Sequence, residues 1–366
     1  MVEVADVFRR YGTEYLQRFG DKMLSSHRHA FEDILRCRTA AMGGHVFECN
    51  QCGRQHYSYH SCRNRSCPKC HKTDTQAWLQ GRQPELLPVP YYHVIFTLPH
   101  ELRRFARLHQ KQVYGLLIKS AARSITKLAA DPRYVGGLVG VMAVLHTWGS
   151  NLAYHPHVHC LVTAGGVSSD GQKWLPASDN YLVPVKALSR LFRGVLLDHI
   201  RSQFQDIQLP ESVWQKDWVV HCKPAVQGTG KVLDYLGRYV HRVAITNSRI
   251  VSIEDGKVTF RYKDYRSCRT KTMTIAAGEF IRRFLQHVLP SNVHKVRYYG
   301  LWSPSNRKRL TQMQGLLAQT DKDEQPQFQD VHVEAPPPWQ AKICPYCKTG
   351  TLIWIGRLPR QQRAPP

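Results

Sequence analysis

The spacing of apolar residues divides the chain into helical and extended stretches. Up to about residue 45, apolar side chains such as Val7, Tyr11, Tyr15 and Phe19 recur at every fourth position, which predicts a packing helix. Further helices are predicted over residues 73–88, 101–130, 186–205 and 228–241.

Strands are predicted where β-branched and aromatic residues accumulate, in YYHVIFTLP, VGVMAVLHTW and HVHCLVTAGG. A loop from Gly149 to Pro156 joins the second and third of these strands, and such a short connection favours antiparallel pairing. The segments VTFRYKDY and KTMTIAA are predicted to form a basic hairpin. Because helices and strands alternate without a regular βαβ order, we expect an α+β fold.

Changes in composition predict three segments. Residues 1–85 form a helical and cysteine-rich N-terminal domain, and residues 86–310 form the α+β domain. After Arg309 the sequence turns to Gln, Asp and Pro, so we interpret residues 311–366 as a linker and a short C-terminal tail that carries a CPYC motif.

The charge of the chain indicates a polyanionic partner. The 366 residues include 51 Lys and Arg against 27 Asp and Glu, a formal charge of +24 that is spread along the whole sequence. Nucleic acid fits this balance because each neutralised phosphate releases counterions. A membrane role would need a basic amphipathic helix or a lipidation signal, and the sequence shows neither. With no signal-peptide core or long apolar run, we expect a cytoplasmic, nucleoid-associated protein.

Two CxxC pairs predict structural zinc. A cytoplasmic chain keeps its thiols reduced, so its eleven cysteines are better explained as metal ligands and buried thiols than as disulfides. Fourteen residues separate the pair Cys49 and Cys52 from the pair Cys67 and Cys70, a spacing that can place four thiolates tetrahedrally around one Zn²⁺. Nearby residues that could replace one of these ligands are Cys37, Cys62, His45, His56 and His60.

Cys344 and Cys347 form a third CxxC pair near the end of the sequence. No further pair follows them, so we do not expect a complete separate zinc site there.

Cations and aromatic rings alternate between the first two CxxC pairs and just beyond. Arg63, Arg65 and Lys69 can contact phosphates, while Tyr57 and Tyr59 can stack on bases. We interpret the three cations as DNA-binding residues; the alternative is an ordinary solvated surface.

A pair of histidines marks a candidate metal centre. His157 and His159 alternate on a predicted strand, so both side chains project from the same face. Antiparallel pairing with MAVLHTW would bring His146 beside them as a third ligand. On spacing alone, two strand histidines are more often structural than metal ligands.

Tyr235 and Tyr239 stand four residues apart on a predicted helix, which places both hydroxyls on one face. Arg238 and Arg242 repeat the same spacing beside them. Two nucleophiles could therefore serve one site, although tyrosines at this spacing more often pack in a core.

Taken together, SCRNRSCPKC after a CxxC pair, YYHVIFTLPHEL, HPHVHCLVTAGG and YLGRYVHRVAI resemble the rolling-circle insertion-sequence transposases of the HUH superfamily. The resemblance is to the two-tyrosine type with an N-terminal zinc-binding domain, and it covers most of residues 20–310. It implies an antiparallel HUH sheet flanked by helices, with the histidine motif on a central strand.

The resemblance also implies roles for residues. The metal-binding histidines of the family correspond to His157 and His159, and its nucleophilic tyrosines to Tyr235 and Tyr239. The third ligand is not fixed by a motif, so His146 rests on strand pairing alone. We expect Mg²⁺ or Mn²⁺ to assist tyrosine attack on single-stranded DNA at transposon ends and in target DNA, leaving a 5′-phosphotyrosine. The remaining predicted DNA-binding cations are Lys231, Arg238, Arg242, Arg261 and Lys263.

Two other functions remain open at this point. A replication-initiator nuclease of the same superfamily would share the cleavage chemistry, although the zinc-containing N-terminal region favours a transposase. A zinc-dependent nucleic-acid-binding regulator without catalysis would use the histidines and tyrosines only as core residues.

Overall fold

The computed structural model describes residues 2–70, 78–178, 181–224, 232, 237, 240, 242–265, 267–320 and 342–362. Within these residues the chain forms α-helices and three antiparallel sheets, which confirms the α+β class. None of the described helices is both long and apolar enough to cross a membrane.

The α-helices that lie wholly within the described residues are α1 (Val4–Phe19), α2 (Ser25–Arg36), α3 (Arg103–Leu108), α4 (Gln110–Ala129), α5 (Val185–Gln203), α6 (Ser212–Gln215), α7 (Ala277–Leu285) and α8 (Arg307–Thr320). The strands are β1 (Gly44–Cys49), β2 (Gln55–Tyr59), β3 (Tyr91–Thr97), β4 (Leu138–Trp148), β5 (Tyr154–Val167), β6 (Trp174–Pro176), β7 (Val220–Pro224), β8 (Ile250–Glu254), β9 (Lys257–Lys263), β10 (Thr270–Ala276), β11 (Val296–Gly300) and β12 (Leu352–Leu358).

Two of the long helices predicted from sequence are interrupted. The N-terminal stretch forms α1 and α2 with a 3₁₀ turn at Gly20–Lys22 between them, and from Gly44 it is extended. The stretch predicted over residues 101–130 forms α3 and α4, because His109 adopts φ −120° and ψ 43°, outside the helical region. A four-residue apolar spacing continues through such breaks, so spacing alone does not reveal them.

The largest sheet has the strand order β11-β4-β5-β3-β7, with β6 added to the end of β5. β4 and β5 pair antiparallel, as predicted, and β5 already begins at Tyr154, before Pro156. His146 stands directly opposite His157 in this pairing. The predicted hairpin of VTFRYKDY and KTMTIAA is confirmed as β9 and β10, which with β8 form a second sheet.

The two faces of the largest sheet differ in what they bury. Val158, Cys160 and Val162 of β5 point into the main core, where Leu117 of α4 and Phe192 of α5 pack against them. Their neighbours His157, His159 and Leu161 necessarily point to the opposite face, because side chains alternate along a strand. The helix-covered face therefore supplies the rigid support, and the opposite face carries the histidines.

A second core joins the N-terminal helices to the sheet formed by β8, β9 and β10. The ring of Phe8 in α1 meets Phe31 of α2 edge-on at 4.9 Å and Phe284 of α7 at 5.4 Å. Gly12 permits this packing, since a Cβ atom there would lie 2.6 Å from the ring of Phe31. Residues from before position 85 and after position 240 thus share one core.

The third sheet, in the order β12-β1-β2, joins distant parts of the chain. β12, from the predicted C-terminal tail, pairs antiparallel with β1 over Gly44–Cys49. Helix α8 extends to Thr320, into the region interpreted as a linker. The division into domains at residues 85 and 310 stays a prediction. The third sheet and the second core each contain residues from more than one of the predicted domains.

Candidate functional site

The structure brings His146, His157 and His159 together on the face of the largest sheet that points away from the main core. Their ring centroids are 5.4 Å apart between His146 and His157, 4.5 Å between His146 and His159, and 4.8 Å between His157 and His159. One ring nitrogen of each residue lies within 4.8 Å of those of the other two. Three imidazoles in this arrangement can share one metal ion and leave coordination positions open. Metal binding by the three stays a prediction.

Hydrogen bonds orient the two histidines of β5. His157 Nδ1 donates to the backbone carbonyl of His155 at 2.7 Å. His159 Nδ1 lies 2.9 Å from His93 Nε2, and the two rings stack at 5.1 Å. In both histidines an outer partner contacts Nδ1, the usual way in which the orientation of a ligating imidazole is fixed, and Nε2 is then the nitrogen that would bind a metal.

Burial keeps these imidazoles neutral. Desolvation lowers the pKa of His157 to about 4 and the pKa of His159 well below its usual value, with neighbouring charges adding to the shift. Burial likewise lowers the pKa of His93 to about 4. A neutral imidazole has a free lone pair at neutral pH, as metal ligation requires.

Trp148 and Lys295 support the centre from the side. The indole of Trp148 stacks on His146 with centroids 4.6 Å apart and an interplanar angle of 18°. The Lys295 ammonium lies 5.1 Å from the Trp148 ring centroid and donates to the carbonyl of Arg242 at 2.7 Å. Burial, together with the positive charges of Arg65 and Arg242, lowers the pKa of Lys295 to about 7.

The histidines lie in a cleft of about 600 Å³ whose walls carry cations. The cationic side chains in its lining are Arg103, Lys216, Arg242 and Arg249. The Arg103 guanidinium donates to His155 Nδ1 at 2.7 Å, and Lys216 forms an ion pair with Glu101. The cleft can therefore accept a phosphate chain beside the histidines.

Several predicted site residues lie outside the described part of the chain, namely Tyr235, Tyr239, Lys231 and Arg238. Of the same predicted helix, Val232 and Val240 are helical and buried, and they pack in one cluster with Met142, Val144 and Leu161. Val144 lies opposite His159 in the pairing of β4 with β5, and Leu161 lies opposite His93 in the pairing of β3 with β5, so both valine-contacting residues share the histidine face. The two valines therefore cover the same sheet face that bears the histidines.

The predicted DNA-binding cations occupy different places. Among those that the structure describes, Arg242 alone lines the histidine cleft. Arg261 and Lys263 are exposed on β9, and the end of this strand reaches the cleft through Ser150, whose hydroxyl donates to the carbonyl of Lys263 at 2.6 Å. DNA binding by these residues stays a prediction.

The cations of the cysteine-rich region lie farther away. Arg65 donates to the carbonyls of Leu289, Pro290 and Val293 at 2.7–2.8 Å, which makes it a link between segments of the chain. Lys69 pairs with Glu3 at 2.5 Å. Arg63 and Arg65 are both exposed, but the guanidinium of Arg65 is held by these carbonyls, so Arg63 is the most accessible of the three to DNA phosphates.

The single zinc site predicted from Cys49, Cys52, Cys67 and Cys70 is wrong in its grouping. The structure places Cys67 and Cys70 with Cys37 and Cys62, and it places Cys49 and Cys52 in a separate cluster with the C-terminal CPYC pair. Cys49 lies at the tip of the β1–β2 hairpin, where β1 ends, whereas Cys62, which clusters with Cys67 and Cys70, follows the base of the hairpin after β2. The five residues of β2 place the tip and the base roughly 16 Å apart, which is too far for cysteines at the two ends to bind one ion.

The first cluster, formed by Cys37, Cys62, Cys67 and Cys70, fits a structural zinc site. Cys70 Sγ lies 3.5 Å from both Cys37 Sγ and Cys62 Sγ, and the Cys62 sulfur accepts a hydrogen bond from the backbone of Asn64 at 3.5 Å. Four thiolates at such separations match tetrahedral Zn²⁺. Cys62, considered in the sequence as a replacement ligand, is thus part of the cluster.

His93, Arg103, Arg249, Trp148 and Lys295 were not identified from the sequence. For His93 the sequence offers only its alternation with Ile95 and Thr97 in YYHVIFTLP; the pairing of β3 with β5, seen in the structure, places these three residues on the histidine face. The contacts of the other four depend on long-range packing and leave no local signal.

Comparisons with known proteins agree with these two regions. A family model with the description "Transposase zinc-binding domain" matches residues 7–98, and one with the description "Putative transposase" matches residues 140–309. The chain is 42% identical to "Putative transposase y4qJ" of Sinorhizobium fredii, over 96% of this chain and 94% of that protein. It is 29% identical to "Transposase for insertion sequence element IS801" of Pseudomonas savastanoi pv. phaseolicola, over 73% of this chain and 68% of that protein. No solved structure matches the chain.

The matched ranges include the first cysteine cluster and the histidine centre, the same features that carried the motif resemblance. The relative from Sinorhizobium fredii is similar over nearly the whole chain. The chain therefore belongs to the family of rolling-circle insertion-sequence transposases with an N-terminal zinc-binding domain, and DNA is its substrate.

Proposed function

We propose that this transposase cleaves and rejoins single-stranded DNA at transposon ends by metal-assisted attack of a tyrosine on a phosphodiester. The observation that carries the proposal is the cluster of His146, His157 and His159, held by outer hydrogen bonds in a cationic cleft. A purely structural role would not need three imidazoles within metal-binding distance of one another in the lining of a cationic cleft.

The donor set fits a divalent ion. Imidazole nitrogen suits Mn²⁺ and other transition ions, and Mg²⁺ can occupy the same position when phosphate oxygens complete its shell. Such an ion would polarise the scissile phosphate and stabilise the charge that develops on its oxygens. His157 and His159 would hold it through Nε2, with His146 as the third ligand.

Tyr235 and Tyr239 are the proposed nucleophiles. Their four-residue spacing and the family resemblance support this assignment, as does the burial of Val232 and Val240 over the histidine face. The phenolic oxygen would bond to phosphorus as the bond to the 3′ oxygen breaks; the phenolic proton would leave to solvent, and the departing 3′ oxygen would take up a proton from solvent. The products are a 5′-phosphotyrosine and a 3′ hydroxyl, which stores the bond energy for rejoining without ATP.

The cleft residues have supporting roles in this scheme. Arg103, Arg242 and Arg249 would bind phosphates next to the scissile bond, and the exposed cations Arg261 and Lys263 of β9 would guide the strand towards the cleft. Two tyrosines would allow one strand end to stay attached while another is cut.

A denaturing-gel assay for a covalent protein–DNA adduct tests the proposal. Labelled single-stranded DNA carrying the element's end is incubated with the protein and Mg²⁺ or Mn²⁺. The adduct should form with either ion, disappear with EDTA, and be absent when the same sequence is double-stranded. It should be lost in Tyr235→Phe/Tyr239→Phe and in His157→Ala, while the single tyrosine variants rank the two nucleophiles.

Matched controls separate chemistry from damage to the fold. Tyr181→Phe and His294→Ala alter exposed residues outside the cleft lining and should leave the adduct unchanged. Tight binding of the correct end without any adduct would favour the non-catalytic regulator instead. Cleavage and rejoining at a plasmid origin, without transfer of element ends to a target, would favour a replication initiator.

A further inference from the structure

We propose that Cys49, Cys52, Cys344 and Cys347 bind a second Zn²⁺ ion, which fastens the C-terminal segment to the N-terminal zinc-binding region. The four sulfurs lie within 4.8 Å of one another although Cys49 and Cys347 are 298 positions apart in the chain. The family model for the zinc-binding domain ends at residue 98, so it contains only half of this cluster.

The distances between the sulfurs fit one tetrahedral ion. Cys49 Sγ lies 3.6 Å from Cys347 Sγ, and Cys52 Sγ lies 3.8 Å from Cys344 Sγ. Zn–S bonds of about 2.3 Å in a tetrahedron place sulfurs about 3.8 Å apart. A disulfide requires about 2.05 Å, and all four cysteines are free thiols.

Backbone N–H groups donate to sulfur atoms in both CxxC pairs. Cys49 Sγ accepts hydrogen bonds from the backbone N–H groups of Gln51 and Cys52 at 3.5 Å, and Cys347 Sγ accepts one from Gly350 at 3.3 Å. Such bonds to sulfur stabilise the thiolate form that zinc binds.

The turns that close the two loops also correspond. Gly53 N–H donates to the carbonyl of Cys49 at 3.0 Å, and Lys348 N–H donates to the carbonyl of Cys344 at 3.0 Å. The residues at these equivalent positions both adopt left-handed backbone angles, φ +65° at Gly53 and +61° at Lys348. The tail therefore supplies a second zinc loop of the same construction.

The two loops contact each other closely. The Asn50 N–H donates to the carbonyl of Thr351 at 3.1 Å, and the Thr351 N–H donates to Asn50 Oδ1 at 2.9 Å. A Cβ atom at Gly350 would lie 2.5 Å from Cys49 Sγ and 3.0 Å from Asn50 Oδ1. Only glycine fits between the two loops, as expected where backbone and ligands must approach closely.

Little apolar burial is available to hold the tail in place without a metal. The buried residues of this region are Phe47, Cys49, Cys344 and Leu352, of which two are proposed ligands. On β12, the side chains of Ile353, Trp354 and Ile355 are each about half exposed. A strand with so small a core depends on its metal, as other core-poor metal-binding modules do.

Metal analysis of the full-length protein tests the proposal directly. Protein purified with zinc and freed of loosely bound metal should carry two Zn²⁺ ions per chain. Cys344→Ser/Cys347→Ser should carry one and should lose protection from hydrogen exchange in β12 and β1. Cys62→Ser/Cys67→Ser should lose the other ion, and Cys268→Ser, which changes an exposed thiol outside both clusters, should keep two.

A ligand swap guards against simple misfolding. Cys347→His retains a zinc-binding side chain and should keep the second ion, whereas Gly350→Ala should lower its retention against a chelator. One zinc ion per chain in the wild type, or two in Cys344→Ser/Cys347→Ser, would overturn the proposal. These counts do not involve DNA cleavage, so their outcome is independent of the proposed nuclease mechanism.

Discussion

The histidine centre and the cluster of Cys49, Cys52, Cys344 and Cys347 are assembled in opposite ways. His146, His157 and His159 lie within 14 positions of one another on two adjacent strands, and register alone brings them together. The cluster of Cys49 and Cys52 is completed by residues nearly 300 positions away. Rigid sheet geometry fixes the first, whereas the second depends on the return of the chain end. The two regions should therefore respond differently to loss of a ligand.

The largest expected effect on DNA cleavage is at the histidine centre. His146→Ala removes one of three metal ligands, and loss of about 3–4 kcal/mol of transition-state stabilisation would slow cleavage roughly 10²–10³-fold. His146→Gln supplies an amide oxygen and should recover part of the rate. Single-turnover adduct formation and Mn²⁺ titration measure both effects. Unchanged rate and Mn²⁺ affinity in His146→Ala would show that the third ligand lies elsewhere.

Ligand loss should affect stability unequally in the two cysteine clusters. Cys67 is fully buried in the core that includes Phe8, Phe31 and Phe284, so Cys67→Ser should lower the free energy of unfolding by roughly 4 kcal/mol or more. Cys347→Ser affects only the small β12 region and should cost less than about half as much. Chemical denaturation followed by tryptophan fluorescence compares them, with Cys268→Ser as the control. Equal decreases in the free energy of unfolding for Cys67→Ser and Cys347→Ser would contradict the inference that the first cluster supports a larger core than the second.

The orientation of His159 provides a finer test of the rigid centre. His93→Ala removes the ring that engages His159 Nδ1 at 2.9 Å, and loss of such an outer partner should weaken Mn²⁺ binding about 10–100-fold. His221→Ala is a suitable control, because His221 is exposed on the same sheet and lines the same cleft. If both variants bind Mn²⁺ like the wild type, the His93 contact does not position the ligand.

The same contrast explains what could be predicted from the sequence. The sequence identified His157 and His159 as candidate ligands on one face, because alternation along a strand is a local property. It identified His146 as their neighbour, because a short loop between two strands predicts antiparallel pairing. His93 required the pairing of β3 with β5, which a single sequence does not specify. The cysteine grouping failed for a physical reason: three CxxC pairs are chemically interchangeable, and the entropy cost of closing a loop grows only slowly with its length. Proximity in the sequence therefore did not predict which CxxC pairs lie in the same cluster.

A small cavity joins the first cysteine region to the histidine centre, and its lining includes Arg65, Trp148, Arg242 and Lys295. The hydrogen bond from Lys295 to the carbonyl of Arg242 and its position over Trp148 favour the ammonium form. Desolvation opposes them and lowers its pKa from 10.5 to about 7. At low pH, burial of the charged Lys295 ammonium therefore lowers the free energy of unfolding.

This destabilisation should be relieved as pH rises. Between pH 7 and about 10 the unfolded chain keeps the proton of Lys295 and the folded protein releases it, so the folded state gains stability with increasing pH. Lys295→Met lacks this gain. The free energy of unfolding of the wild type relative to Lys295→Met should therefore rise by at most about 1.4 kcal/mol per pH unit from pH 7 to 9. A difference independent of pH would mean that Lys295 stays charged where the two regions meet, held by Trp148 and the Arg242 carbonyl.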